Sequence, residues 1–187
     1  YPAVELTSGV WAVLLALKFG PGPEWAVFML FGAIFIIASF IDLESFLLPD
    51  ILTIPGTLLA VLAATLVLPG PETWDARLLQ SLLGLAVGGG LFLVLHYGYR
   101  LLRGVDGLGL GDVKLMCLIG ALLTAMALPF VVIVGAVVAL LASVFWMIGS
   151  KKGGKTPIPF GPFLSLAAMT WILCGPEVWQ WYLGAMR

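Results

Sequence analysis

From Trp25 to Ile41 the chain carries no ionisable side chain, and Asp42 follows at once. A helix over such a run approaches the ~20 residues needed to cross about 30 Å of hydrocarbon. A run this long reads as a membrane-spanning helix. Similar runs recur along the chain. They cover Val4 to Phe19, Glu24 to Asp42, Asp50 to near Leu68, Trp74 to Leu102, Asp112 to near Ala127, Pro129 to Gly149, and a last segment after Pro159 that includes Trp171. Pro and Gly mark nearly every boundary, as in Gly20-Pro21-Gly22-Pro23 and Pro69-Gly70-Pro71. The expected fold is an all-α polytopic membrane protein, a bundle of about seven transmembrane helices with a Gly-rich cytoplasmic loop, forming a single membrane-embedded domain over residues 1–187. A Trp- and Tyr-rich tail from Pro176 to Arg187 suits the membrane–water interface.

Composition agrees: 61% of residues are hydrophobic and 10% charged, against roughly 45–50% and 25% in soluble domains. A net charge of −1 provides no basic field for nucleic acid. Cys117 and Cys174 lie far apart in apolar segments and read as small buried hydrophobes, with neither metal spacing nor a disulfide framework. The opening Tyr1-Pro2, in place of Met, is what a fragment, processed or trimmed chain would show. Alternating crossings place 43–50, 103–111 and 150–158 on one side, with Arg100, Arg103, Lys114, Lys151, Lys152 and Lys155. The other side has Lys18, Arg77 and Arg187. The positive-inside rule makes the first side cytoplasmic.

Acids are scarce enough to weigh singly. Glu5, Glu24, Glu72, Asp75 and Glu177 sit in or beside loops and read as solvated or capping residues; Asp106 reads as solvated. Asp42, Glu44, Asp50 and Asp112 lie near helix ends on the cytoplasmic side. Glu44 is about 200° around the helix from Asp42 and faces elsewhere. Asp50, after Pro49, is placed to cap the third helix. Asp42 has no such role, and an ionisable group at the end of a membrane helix is a functional candidate because burying it is costly.

Asp112 follows the stretch GLGLG. Glycines permit close backbone approach and could fold this loop against the bundle, bringing Asp112 inward. Taken alone, Asp112 is better explained as a helix cap in a flexible loop. Paired with Asp42 at the same depth, it forms a candidate dyad. Two neighbouring carboxylates do not both ionise cheaply, so one can activate water while the other protonates a carbonyl oxygen. Asp42 ends its helix and Asp112 opens one, so the helix dipoles predict the shared proton on Asp42. Gly84 and Gly88 read as helix-packing positions. His96 could carry a proton, although an interfacial residue beside Tyr97 and Tyr99 is the simpler reading. The stretch TPIPFGPF serves either as a rigid lead-in to the last helix or as a stiff wall against an extended substrate.

IDLESFLLPD, GLGLGDVKLM and TPIPFGPFLS, in this order and after the opening YPAVELTSG, resemble the type IV prepilin leader peptidases, which are GxGD-type intramembrane aspartic peptidases. The resemblance spans the chain. It implies Asp42 and Asp112 as catalytic residues and Gly109, Gly111, Lys114 and Asp50 as motif support. Pro157, Pro159, Gly161 and Pro162 become the possible substrate wall, with no metal. It further implies a bacterial inner-membrane enzyme that removes the short basic leader of prepilins or pseudopilins at the cytoplasmic face, in type IV pilus or type II secretion assembly. No cofactor is implied for cleavage. S-adenosylmethionine is implied only where N-methylation is retained. That is in doubt here, since the chain has neither the CxxC pairs nor the further N-terminal helix typical of the family. The residues alone also admit a proton-coupled transporter using the same aspartates as relays, or a non-enzymatic membrane subunit of a pilus machine.

Overall fold

The computed structural model describes residues 2–104, 108–149 and 159–185. They form α1 (Pro2–Phe19), α2 (Pro23–Ser45), α3 (Asp50–Leu66), α4 (Trp74–Arg103), α5 (Leu110–Gly149) and α6 (Gly161–Ala185), with no strand among them. The chain is an all-α polytopic membrane protein. Helices α1, α2, α4 and α5 are long and apolar enough to cross a membrane, and α3 and the first part of α6 are shorter apolar helices. Many large apolar side chains point outward, such as Leu17, Leu58, Val94 and Leu140. Lipid accommodates them as a solvent.

Helix α5 is two helices joined at Thr124, whose φ of 65° and ψ of 173° are not helical. Met116 and Leu128, on either side of this break, both lie against Gly88 of α4. The second half therefore doubles back along α4. Expectation placed this boundary between Ala127 and Pro129. The structure moves it to Thr124, where non-helical φ and ψ break the helix, and Pro129 lies inside the second half. With α5 divided, the described helices provide the seven segments expected. A further correction concerns the tail: α6 runs on through position 176 to Ala185 as one helix.

Helix contacts depend on small residues. Gly84 faces the backbone of Gly120, Gly88 the carbonyl of Met116, and Gly89 the sulfur of Cys117, so α4 and α5 approach almost backbone to backbone. Gly32 of α2 leaves room for the Trp11 indole of α1, whose Nε1 donates to the Phe28 carbonyl at 3.0 Å. Gly56 of α3 lies against Leu118 of α5. At one end of the bundle Lys18 donates to the Leu173 carbonyl and pairs with Glu177, joining α1 to α6. The Lys18 hydrogen bond holds the Glu177 carboxyl below its ordinary range.

Candidate active site

At the opposite end, four helix termini converge. Helix α2 stops because Phe46 takes a left-handed conformation (φ 56°, ψ 25°) and returns its N–H to the Asp42 carbonyl at 2.9 Å. Asp42 thus sits one turn before the stop, on the face turned into the bundle, with 5% of its surface exposed. Glu44 and Ser45, beyond it, are exposed, so two positions along the helix separate a buried acid from a solvated one.

Helix α4 ends at Gly104, which adopts φ 70° and donates to the Arg100 carbonyl. The chain then has only 105–109 to cross to α5. Residues 105–107, Asp106 among them, lie outside the described residues. Helix α5 opens at Leu110, and Asp112 in its first turn donates its N–H to the Gly109 carbonyl at 3.2 Å. The Asp112 side chain is 8% exposed. Both carboxylates line one cavity of about 280 Å³ and are close enough to interact electrostatically. Phe46, Leu47, Leu48, Asp50, Gly109, Leu110, Gly111 and Lys114 complete the cavity wall.

The third terminus is the start of α6. The Gly161 N–H donates to Asp42 Oδ2 at 3.1 Å. A first-turn N–H lacks a helical partner, so it is available to an acceptor, and the positive end of the helix dipole lies beside it. Pro162 follows in the first turn, and Phe160 stacks on Phe92 of α4 with ring centroids 6.3 Å apart. Residues 156–158 of this stretch lie outside the described residues. Pro159 and Pro162 are not among the residues lining the cavity, and Pro157 lies outside the described residues. Gly161 reaches the site as a donor to Asp42.

The fourth terminus corrects the reading of Asp50. The cap of α3 is Pro49, no side chain caps it, and Asp50 is the first helical residue. Its carboxylate pairs instead with Lys114 of α5, across the mouth of the cavity. Both partners are more than one-third exposed, so the pair contributes at most about 1 kcal/mol.

One residue of this region escaped the sequence reading, and the setting of a second is now visible. Leu48 is buried and sits between the glycines: a Cβ on Gly111 would lie 2.9 Å from its Cβ, and one on Gly161 would lie 3.3 Å from its Cδ1. Glycine at both positions thus lets the starts of α5 and α6 close on one leucine. The second is His96, which is buried and meets Tyr97 edge-on. No cluster of three metal-ligating side chains occurs among the described residues.

The sequence pattern of the type IV leader peptidase family matches residues 29–144, a stretch that includes both aspartates and the glycine loop. The chain belongs to this family. Curated relatives within it share the name prepilin leader peptidase/N-methyltransferase. The protein from Aeromonas hydrophila is 32% identical over 98% of this chain and 61% of its own length. That from Dickeya chrysanthemi is 36% identical over 89% of the chain and 57% of its own length. That from Burkholderia pseudomallei (strain K96243) is 36% identical over 94% and 55%. The chain thus spans about three-fifths of the length of these leader peptidases. No solved structure matches it.

Proposed function

We propose that this chain is an intramembrane aspartic endopeptidase that removes the leader from type IV prepilins or pseudopilins at the cytoplasmic face of a bacterial inner membrane. One observation carries the reading: two buried carboxylates, brought from separate helices, line a single cavity beside exposed apolar side chains. Membership of the leader peptidase family supports it, as do the names of the relatives.

The chemistry needs only these two groups and water. The ionised carboxyl takes a proton from water as the oxygen bonds to the scissile carbonyl carbon. The protonated carboxyl gives its proton to the carbonyl oxygen, leaving a neutral gem-diol. The first carboxyl then passes its proton to the peptide nitrogen as the C–N bond breaks, and a diol hydroxyl returns a proton to the second. One water is consumed and the dyad again holds one proton. The substrate must be extended here, since a helix hides its peptide carbonyls. Leu43, Phe46, Leu47 and Ile51 are exposed around the α2–α3 turn and offer an apolar approach for a segment arriving through lipid. Arg100, Arg103 and Lys114 at this end agree with a cytoplasmic site. Methyl transfer from S-adenosylmethionine is assigned to no residue of this chain.

The test is leader removal from a purified prepilin by the protein in lipid nanodiscs, followed by mass spectrometry. Asp42→Asn and Asp112→Asn should each abolish cleavage while helicity and thermal unfolding hold. Turnover near the wild-type rate in either variant would remove that aspartate from the mechanism.

A further inference from the structure

His96 is the chain's one histidine, and it is 4% exposed. It lies on α4 about two turns before Gly104, where the helix ends. An ionisable side chain buried in a membrane helix is costly without a partner. Among the described residues, its hydrogen-bond partner is a backbone carbonyl. Nδ1 lies 2.5 Å from the carbonyl oxygen of Leu108. Since a carbonyl only accepts, Nδ1 carries the hydrogen of this bond. The ring also meets Tyr97 edge-on, with centroids 5.0 Å apart, and this limits its rotation.

Leu108 is half-buried against the core and belongs to the loop that delivers Asp112. The next residue, Gly109, accepts the Asp112 N–H. Glycine loops gain the most freedom when untied, because glycine restricts its own backbone least. The loop between Gly104 and Leu110 therefore needs an external anchor if Asp112 is to stay beside Asp42. The imidazole provides one, reaching from a rigid helix to the carbonyl four residues before the carboxylate.

We propose that His96 is a positioning residue: its Nδ1–H holds the Leu108 carbonyl and so sets the glycine loop and the placement of Asp112. The proposal rests on the reading of Asp42 and Asp112 as the catalytic pair. It makes the histidine a donor to the backbone rather than a carrier of protons.

Three variants separate this role from simple packing. Leucine fills the volume without a donor. Asparagine carries an amide N–H at the position of Nδ1. Glutamine carries it one bond too far. In nanodiscs, His96→Leu should speed hydrogen exchange at the amides of 109–112, and His96→Asn should restore protection while His96→Gln does not. In prepilin cleavage, His96→Leu should lower kcat roughly tenfold, the rate equivalent of one loop hydrogen bond, with KM within about twofold. His96→Asn should recover most of that loss. Unchanged exchange in His96→Leu overturns the proposal, as does an asparagine variant as impaired as leucine. A wild-type protein that fails to cleave prepilin would instead defeat the peptidase reading, while the exchange comparison would still decide the tether.

Discussion

Gly161→Ala tests the coupling between α6 and Asp42. A Cβ at this position would stand 2.5 Å from Asp42 Oδ2 and 3.3 Å from its Cγ, whereas ordinary contact begins at 3.4 Å. The carboxylate must therefore retreat by 3.4 − 2.5 = 0.9 Å or rotate away, and either motion strains the Gly161 N–H bond. A hydrogen bond to a charged group is worth about 1.5–3 kcal/mol, and misplacing a reacting group by 1 Å costs on the order of 10²-fold. These losses overlap, so we expect kcat to fall about 10²-fold rather than by their product. Stability should hardly move. The displaced oxygen is the far end of a flexible side chain beside a cavity, Leu48 Cδ1 yields only about a tenth of an ångström, and alanine suits a first helical turn. Thermal unfolding should shift by no more than about 3 °C, the equivalent of roughly 1 kcal/mol. The motif glycines provide the contrast. A Cβ on Gly109 would make ordinary contact with Asp112 Oδ2 at 3.5 Å, so Gly109→Ala should be mild. One on Gly111 would press on Leu48, so Gly111→Ala should act mainly through stability. Steady-state cleavage and calorimetry on the three variants decide the matter. If Gly109→Ala loses more turnover than Gly161→Ala, the geometry assigned to Asp42 is wrong.

Phe46→Gly should stabilise the protein by about 1 kcal/mol, since a half-exposed aromatic occupies a left-handed C-cap that glycine adopts more cheaply; a lower unfolding temperature would show that its packing outweighs the strain. Ser165→Ala should also stabilise, by about 1–2 kcal/mol, because the buried Ser165 hydroxyl has no hydrogen-bond partner among the described residues; destabilisation in calorimetry would reveal a partner. Asp50→Asn should cost less than about 1 kcal/mol, and less still at high salt, as an exposed pair with Lys114 requires; a salt-independent loss would contradict this.

The elements most legible in sequence were those whose burial pattern and ends agree. Helix α4 was read from Trp74 to Leu102 and ends at Arg103, because an apolar run meets Gly104 in a left-handed cap. Asp42 stood out for the same reason, as the first charge after a long apolar run. Thr124 did not, since nothing in a threonine between leucine and alanine announces a non-helical backbone, and Pro129 offered a more obvious stop that was not used. Asp50 has the composition of a cap, but a lysine from another helix takes its carboxylate. Local pattern shows where an acid lies. It does not show which distant donor reaches it, and Gly161 and His96 act through contacts 119 and 12 residues away in the chain.

That limit bears on the roles of the two aspartates. The expectation of a proton resting on Asp42 came from each residue's own helix, one at a negative end and the other at a positive end. The structure adds a helix to the account. Asp42 belongs to the last turn of α2, yet its carboxylate takes the first-turn N–H of α6. The negative end of α2 and the positive end of α6 then act on the same group in opposite senses, each typically by about 0.3–1 kcal/mol. The dipole difference that distinguished the two acids is offset, and the assignment of the proton to Asp42 loses its basis. What replaces it is positional. Asp42 is held at both ends, by the Phe46 N–H on its own carbonyl and by the Gly161 N–H on its carboxylate. Asp112 is placed by a glycine loop tied to His96 through Leu108. One carboxylate is therefore fixed by helix packing and the other by a loop anchor.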